Sequence, residues 1–296
     1  MPKAIDVHIH PPRGEPPSET EQQMSRYFRS GPRPVHPEEM YEYYAERDIF
    51  GILVDIDDSS VSGRPYKGND YIAGLVQRWP KQFAGFCSVD PHQGKLAVRE
   101  LERAVKELGL IGLKLHPSTQ RFYPNDPKLF PLWEKAAELG VPVLFHTGMT
   151  GVGARTPGGG GITFEYCRPI PYIDDVAAAF PSLQIIMAHP AFPWVPEQLA
   201  ILNHKTNVWM DLSGWSPRYF DPLLVQYANY LISDRVLFGS DYPVIQPDRW
   251  LRDWEEVGFR PEVRRAILFD NANRLLKLGL EYTGAEFAPS GGGAAS

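Results

Sequence analysis

Cysteine is scarce in this chain. Two residues in 296, Cys87 and Cys167, cannot form a disulfide framework, and that count fits a reducing compartment. Long apolar runs are missing too: no stretch reaches the ~18 residues of a membrane span, and Met1 is followed at once by Pro2 and Lys3, leaving no room for a signal peptide. A soluble, cytoplasmic protein is the expectation. There is no basic excess either, since 30 Lys and Arg against 36 Asp and Glu leave a formal charge of −6. That argues against a nucleic-acid surface, which needs a basic face, and against a membrane partner. The 29 Pro and 26 Gly make the chain turn-rich while staying below the share that signals disorder.

What is present is an alternation. Eight short runs rich in β-branched residues follow one another: Ala4–His10, Gly51–Ile56, Phe83–Val89, Ile111–His116, Pro142–His146, Gln184–His189, Asn207–Leu212 and Arg235–Asp241. Helical patterns separate most of them, as in Lys95–Leu108, where Leu96, Val98, Leu101, Val105 and Leu108 repeat at helical spacing until Gly109 stops them. Repeated strand–helix units imply a parallel sheet covered by helices. Eight of them, with polar residues at several strand ends, match a closed (β/α)8 TIM barrel better than an open sheet with one switch point. A single α/β domain over residues 1–283 is therefore expected, with a small, polar, disordered tail over 284–296. The Pro-, Glu- and Arg-rich stretch 11–37 is too long for an ordinary connection and is read as a lid insertion. The glycine run Gly158–Gly161 reads as a second loop of that kind.

The polar strand ends carry the chemistry. His8 and His10 stand two apart on the first strand, which points both side chains one way. His146, His189 and Asp241 end strands five, six and eight, on the rim where such barrels build active sites. Any one of them has a plainer reading as a hydrogen-bonded structural residue; together they read as a metal site. Lys114 and His116 share a face of strand four.

These residues resemble the amidohydrolase superfamily, and within it the group typified by aminocarboxymuconate semialdehyde decarboxylase and its hydrolase relatives. The likeness rests on His8-Ile9-His10, His146, His189, Gly239-Ser240-Asp241-Tyr242-Pro243 and the run Asp270–Leu275, and spans Ile5 to about Leu278. It implies an amidohydrolase-like barrel holding one divalent metal, usually zinc, with Mn, Fe or Co as alternatives, on His8, His10, His146 and Asp241. His189 is then the acid, base or polarising group. Three imidazoles and one carboxylate with an open position suit a catalytic metal that makes bound water acidic, and Asp241 is placed to take that proton. Lys114 has three readings: an ammonium that, with His116, orients an anionic substrate, a partner for Asp55 or Asp90, or a carboxylated bridge between two metals.

Loop cations (Arg13, Arg64, Lys67, Arg121, Arg155, Arg168, Arg218) interleave with aromatics such as Trp215. A pocket drawn from them suits a small anionic, aromatic or ring-derived compound, with Arg218 and Trp215 taken as substrate contacts. Hydrolysis is expected ahead of non-oxidative decarboxylation, because Asp241 beside an activated water completes a hydrolytic apparatus. A non-catalytic metal- or ligand-binding barrel is the third reading, and a homodimer is left open.

Overall fold

Eight parallel strands follow one another around a ring in chain order. They are β1 (Ala4–Ile9), β2 (Ile49–Leu53), β3 (Phe83–Gly85), β4 (Leu113–Leu115), β5 (Val143–His146), β6 (Ile185–Ala188), β7 (Val208–Asp211) and β8 (Val236–Leu237). The structure, a computed structural model, describes residues 1–66 and 68–284; Lys67 and the expected tail beyond Gly284 lie outside the described residues. The strands form two hydrogen-bonded arcs, β1–β3 and β4–β8. Parallel bridges Cys87↔Leu113 and Ile9↔Tyr242 join the arcs at both seams, giving the expected barrel.

Two apolar layers follow from the strand period. An outer layer packs Ile49, Phe83, Leu113, Val143, Ile185 and Val208 against the surrounding helices. An inner one gathers Ile5, Val7, Leu144, Ile186 and Leu237 with Phe269 and Ala272 of the last helical stretch. Simple alternation would put His8 on the side of Asp6, which faces outward to Tyr44 of the helix α2 (Pro37–Ala45). A register irregularity between Asp6 and Ile9 reverses the parity and lets His8 turn inward. His189 and Asp241 do the same by another device. Each follows an inward- or outward-set strand end with a left-handed backbone, φ 70° and 68°, a conformation that costs a non-glycine residue about 1–3 kcal/mol and is typical of functional sites.

Helix Lys95–Lys106 forms where its periodicity places it, but its buried face is Ala97, Leu101 and Ala104, and Leu96 is exposed. Helix Pro247–Trp254 and the lid helix were not legible as periodic patterns. The lid helix α1 (Glu19–Phe28) starts at a capping box of Ser18 and Glu21 and buries none of its residues fully, so its sequence shows no strong apolar stripe. It is tethered from its far end: Ser30 Oγ donates to Val244 O at 2.6 Å and Arg249 Nη1 to Phe28 O at 3.1 Å. The Phe28 ring occupies the space a side chain at Gly151 would fill.

The seam between the first and last strands, crossed by backbone bonds from Val7 N to Phe238 O, Asp241 N to His8 O and His10 N to Tyr242 O, is reinforced by one buried carboxylate. Asp6 accepts from His8 N (3.1 Å), Ser240 N (2.9 Å), Ser240 Oγ (2.5 Å) and Tyr44 Oη (2.8 Å), and burial pushes its pKa up to about 6 despite those bonds. Removing it orphans two buried amides and two hydroxyls, each worth about 1–3 kcal/mol if left without a partner. Asp6→Ala should lower the unfolding free energy in urea by at least about 3 kcal/mol, and Tyr44→Phe by much less. An Asp6→Ala protein within 1 kcal/mol of the parent, roughly one ordinary hydrogen bond, would show that the seam is held by other contacts.

Candidate functional site

The carboxyl ends of the strands and the lid enclose a cavity of 1070 Å³. Its floor collects the histidines and carboxylate that the sequence singled out. His8 Nε2 lies 3.7 Å and His10 Nε2 3.4 Å from Asp241 Oδ1, and these three donors are close enough to share one cation. His146 lines the same cavity. Its Nε2 is buried and meets no hydrogen-bond partner, which costs about 1–3 kcal/mol unless a ligand takes the lone pair. Burial, and the charges of the neighbouring groups, hold His146 neutral, as a metal ligand must be. The donor set therefore fits a divalent cation held by His8, His10, His146 and Asp241.

A second cluster, His8, His189 and Asp211, is also compact, but these residues are already engaged in hydrogen bonds with one another or with Ser213. His8 Nδ1 lies 3.1 Å from Asp211 Oδ2. Asp211 Oδ1 accepts from His189 N (3.2 Å), Ser213 N (2.9 Å) and, in a very short contact, Ser213 Oγ. Burial alone would raise the Asp211 carboxyl, but His8 and these donors outweigh it and hold it ionised, well below the usual range. Burial lowers His8 to about 3, with Lys114 adding to the effect, so the pair is a carboxylate and a neutral imidazole. This is the outer support that fixes a ligating histidine. Sequence reasoning missed Asp211 and Ser213; the signal was an acidic residue ending β7 at the same height as His146 and His189.

Lys114 is buried on the barrel interior with Nζ 3.3 Å from His8 Nε2. Burial lowers it to about 8, while Asp211 and Asp241 partly restore it. Neither expected carboxylate is its partner: Asp55 pairs with Arg13, and Asp90 accepts from Ser60 N and His92 N. The His116 ring stacks on His146 at 3.9 Å and 9° and its Nε2 lies 3.3 Å from Thr150 Oγ1, so it braces a ligand as well as lining the cavity. Trp215 lines the wall. Arg218 does not; it is taken up by Glu256 (2.7 Å) and Asp253 (3.4 Å) outside the lining. The physical reason is that two carboxylates of the Pro247–Glu256 region reach it first.

The lid supplies a cation that sequence reasoning passed over. Arg33 is almost fully buried, its Nε donating to Ser25 Oγ at 2.7 Å and its Nη1 lying 3.6 Å from Glu21. Its Nη2 is buried without a partner, and the residue lines the same cavity as Asp241. Among the described residues only this atom and His146 Nε2 are buried polar side-chain atoms left unsatisfied. Nothing in the Pro-rich lid sequence marked Arg33 off from its neighbours Arg26 and Arg29.

A barrel with these histidines and carboxylate at its carboxyl rim is of the amidohydrolase class. The amidohydrolase family model matches residues 5–278, and the chain belongs to that family. Among curated relatives it is 26% identical over 259 residues to gamma-resorcylate decarboxylase of Polaromonas sp., covering 75% of this chain and 78% of that one. It is 27% identical to 2-amino-3-carboxymuconate-6-semialdehyde decarboxylase of Dictyostelium discoideum (59% and 55% covered). A 2-keto-4-carboxy-3-hexenedioate hydratase of Sphingobium sp. is 32% identical (58% and 56%). The fold is shared with the dihydroxybenzoic acid decarboxylase of Polaromonas sp. bearing manganese and 2-nitroresorcinol (TM-score 0.65, 21% identity, 95% and 98% covered). Among the described residues no helix is long and apolar enough to cross a membrane.

Protein purified without chelator should hold one equivalent of a divalent metal by elemental analysis, lost in His146→Ala and Asp241→Ala. His189→Asn should keep it while turnover falls by roughly 10²–10⁴, the usual contribution of a positioned acid or base. Two equivalents, with one lost on Lys114→Ala, would contradict the mononuclear assignment.

Proposed function

We propose that this protein is a metal-dependent, non-oxidative decarboxylase of a small hydroxylated aromatic or enol-type carboxylate. This reverses the preference for hydrolysis drawn from the strand-end residues alone. The relatives matched along most of the chain are decarboxylases, and the observation that carries the reading is a cavity with cationic groups at both ends. Its floor holds the ligand cluster and the buried Lys114, its roof the unsatisfied Arg33. Cationic groups from the strands and from the lid around one cavity suit an anion held by more than one of its oxygens.

His8, His10, His146 and Asp241 would hold a divalent cation, which would supply concentrated positive charge next to an anionic substrate. Arg33 donates to an anionic oxygen at the other end, a charge-assisted bond stronger than a neutral one. His189 receives the proton of the substrate hydroxyl. The bond from the carboxylate to the ring or alkene carbon then breaks, its electron pair stays on that carbon, and His189 returns the proton there as carbon dioxide leaves. The phenolate or enolate is reprotonated by solvent, so one proton is consumed per turnover. Met24, Phe28 and Trp215 cover the site and limit water at the carbanionic carbon.

Addition of water is the second reading, favoured by the 32% identity to a hydratase. One assay separates the chemistries. A panel of dihydroxybenzoates and carboxymuconate-type acids, run in deuterium oxide with the metal-loaded protein, should yield carbon dioxide in step with substrate loss and one deuterium on the carbon it left. Labelled oxygen entering the product from heavy-oxygen water, with no carbon dioxide, would overturn the decarboxylase reading. With the substrate found, Arg33→Gln should raise KM by about 10–100-fold, the range of a lost hydrogen bond to a charged group, and Arg33→Lys should recover part of it. An unchanged KM would remove Arg33 from the substrate site.

A further inference from the structure

Ser213 is fully buried between two histidines and a carboxylate, and its single hydroxyl hydrogen is claimed three ways. Oγ lies 3.0 Å from His8 Nδ1, 2.8 Å from His189 Nδ1, and in a very short contact with Asp211 Oδ1. A serine hydroxyl donates once and accepts twice. Asp211 Oδ1 already accepts from two backbone amides, His189 N and Ser213 N, so it carries no hydrogen and takes that of Ser213. The His189 ring N–H then fills one lone pair of Oγ, and the His8 Nδ1–H, shared with Asp211 Oδ2 at 3.1 Å, faces the other. We propose that Ser213 is a positioning residue that fixes both His8 and His189 as the Nδ1–H tautomer, leaving both Nε2 atoms bare on the cavity side.

Two further observations agree. His8 Nε2 lies 3.3 Å from Lys114 Nζ, an amine nitrogen able to donate, which agrees with an Nε2 that carries no hydrogen. The position of Ser213 relative to His189 is also fixed by backbone: Gly214 adopts φ +72°, and a Cβ there would stand 2.6 Å from His189 Nδ1. Gly239 plays the same part on the other side, since a Cβ would come within 2.9 Å of Ser213 Cβ and 3.2 Å of His8 Cβ. A side chain at either glycine would press on Ser213 or on one of the two rings.

For His8 the bare Nε2 is the lone pair a cation needs. For His189 it means that the resting ring accepts a proton before it gives one, and this consequence rests on the decarboxylase reading above. Catalysis would then begin by removing the substrate hydroxyl proton, so a carboxylate lacking that hydroxyl should bind without being turned over.

The test needs no substrate and so stands apart from the proposed activity. In zinc-loaded protein labelled with nitrogen-15 at histidine, long-range nitrogen–proton spectra report which ring nitrogen carries hydrogen, and the His189 signals are those missing from His189→Gln. The parent should show His189 protonated at Nδ1 and not at Nε2. Ser213→Ala should shift His189 toward the other tautomer and weaken zinc binding by about 10–100-fold in chelator competition, as loss of an outer support does; Ser213→Thr, which keeps the hydroxyl, should stay near the parent in tautomer. An Nε2–H form in the parent would overturn the proposal, as would a Ser213→Ala spectrum unchanged from it. If Ser213→Ala fails to fold, the parent spectrum decides alone.

Discussion

The buried Asp211 carboxylate is the interaction on which the floor of the barrel depends. A carboxylate with no exposed surface costs several kcal/mol unless donors surround it. Here they come from three strands: the His8 ring from β1, the His189 amide from beyond β6, and Ser213 from its own chain just past β7. The same bonds that make the charge tolerable fix the His8 ring and the backbone that carries His189. His8 and His189 stack at 4.9 Å, so neither ring turns without displacing the other. Asp6 plays the matching part on the outer side of the seam, where it ties β1 to Ser240 and so to Asp241.

Around this floor the cations and anions are unequally satisfied. Arg13, Arg168 and Arg218 have close carboxylate partners. Arg33 keeps one buried nitrogen free, although the lid could have matched it with Glu21 more closely than 3.6 Å. A lid helix with no fully buried residue gains little from packing, so it is held mainly by tethers at its end, and opening it exposes little apolar surface.

The alternation of strands and helices was readable because each strand is buried on both faces and so is nearly all apolar. For the same reason His8, His10, His146, His189, Asp241 and Lys114 stood out, and the cavity gathers all six. Asp211 did not stand out, because one acidic residue at the end of a strand looks like a cap, and its partners are about 200 and 20 residues away (|i−j| of 203 and 22). Nor could strand parity foresee the register shift before Ile9 or the left-handed backbone at His189 and Asp241, both set by tertiary contacts. Arg33 and Arg218 show the limit most plainly. Both are loop arginines, and only packing decides that one faces the cavity while the other meets Glu256.

The central claim is that His8, His10, His146 and Asp241 share one cation while His189 and Asp211 stand outside its coordination. Diffraction from metal-loaded crystals on either side of the metal's absorption edge tests it directly. One anomalous peak is expected, within about 2.0–2.2 Å of His8 Nε2, His10 Nε2, His146 Nε2 and an Asp241 oxygen, the range for nitrogen and oxygen ligands of zinc. A second peak bridged by Lys114, or a single peak coordinated by His189 and Asp211, would contradict the account.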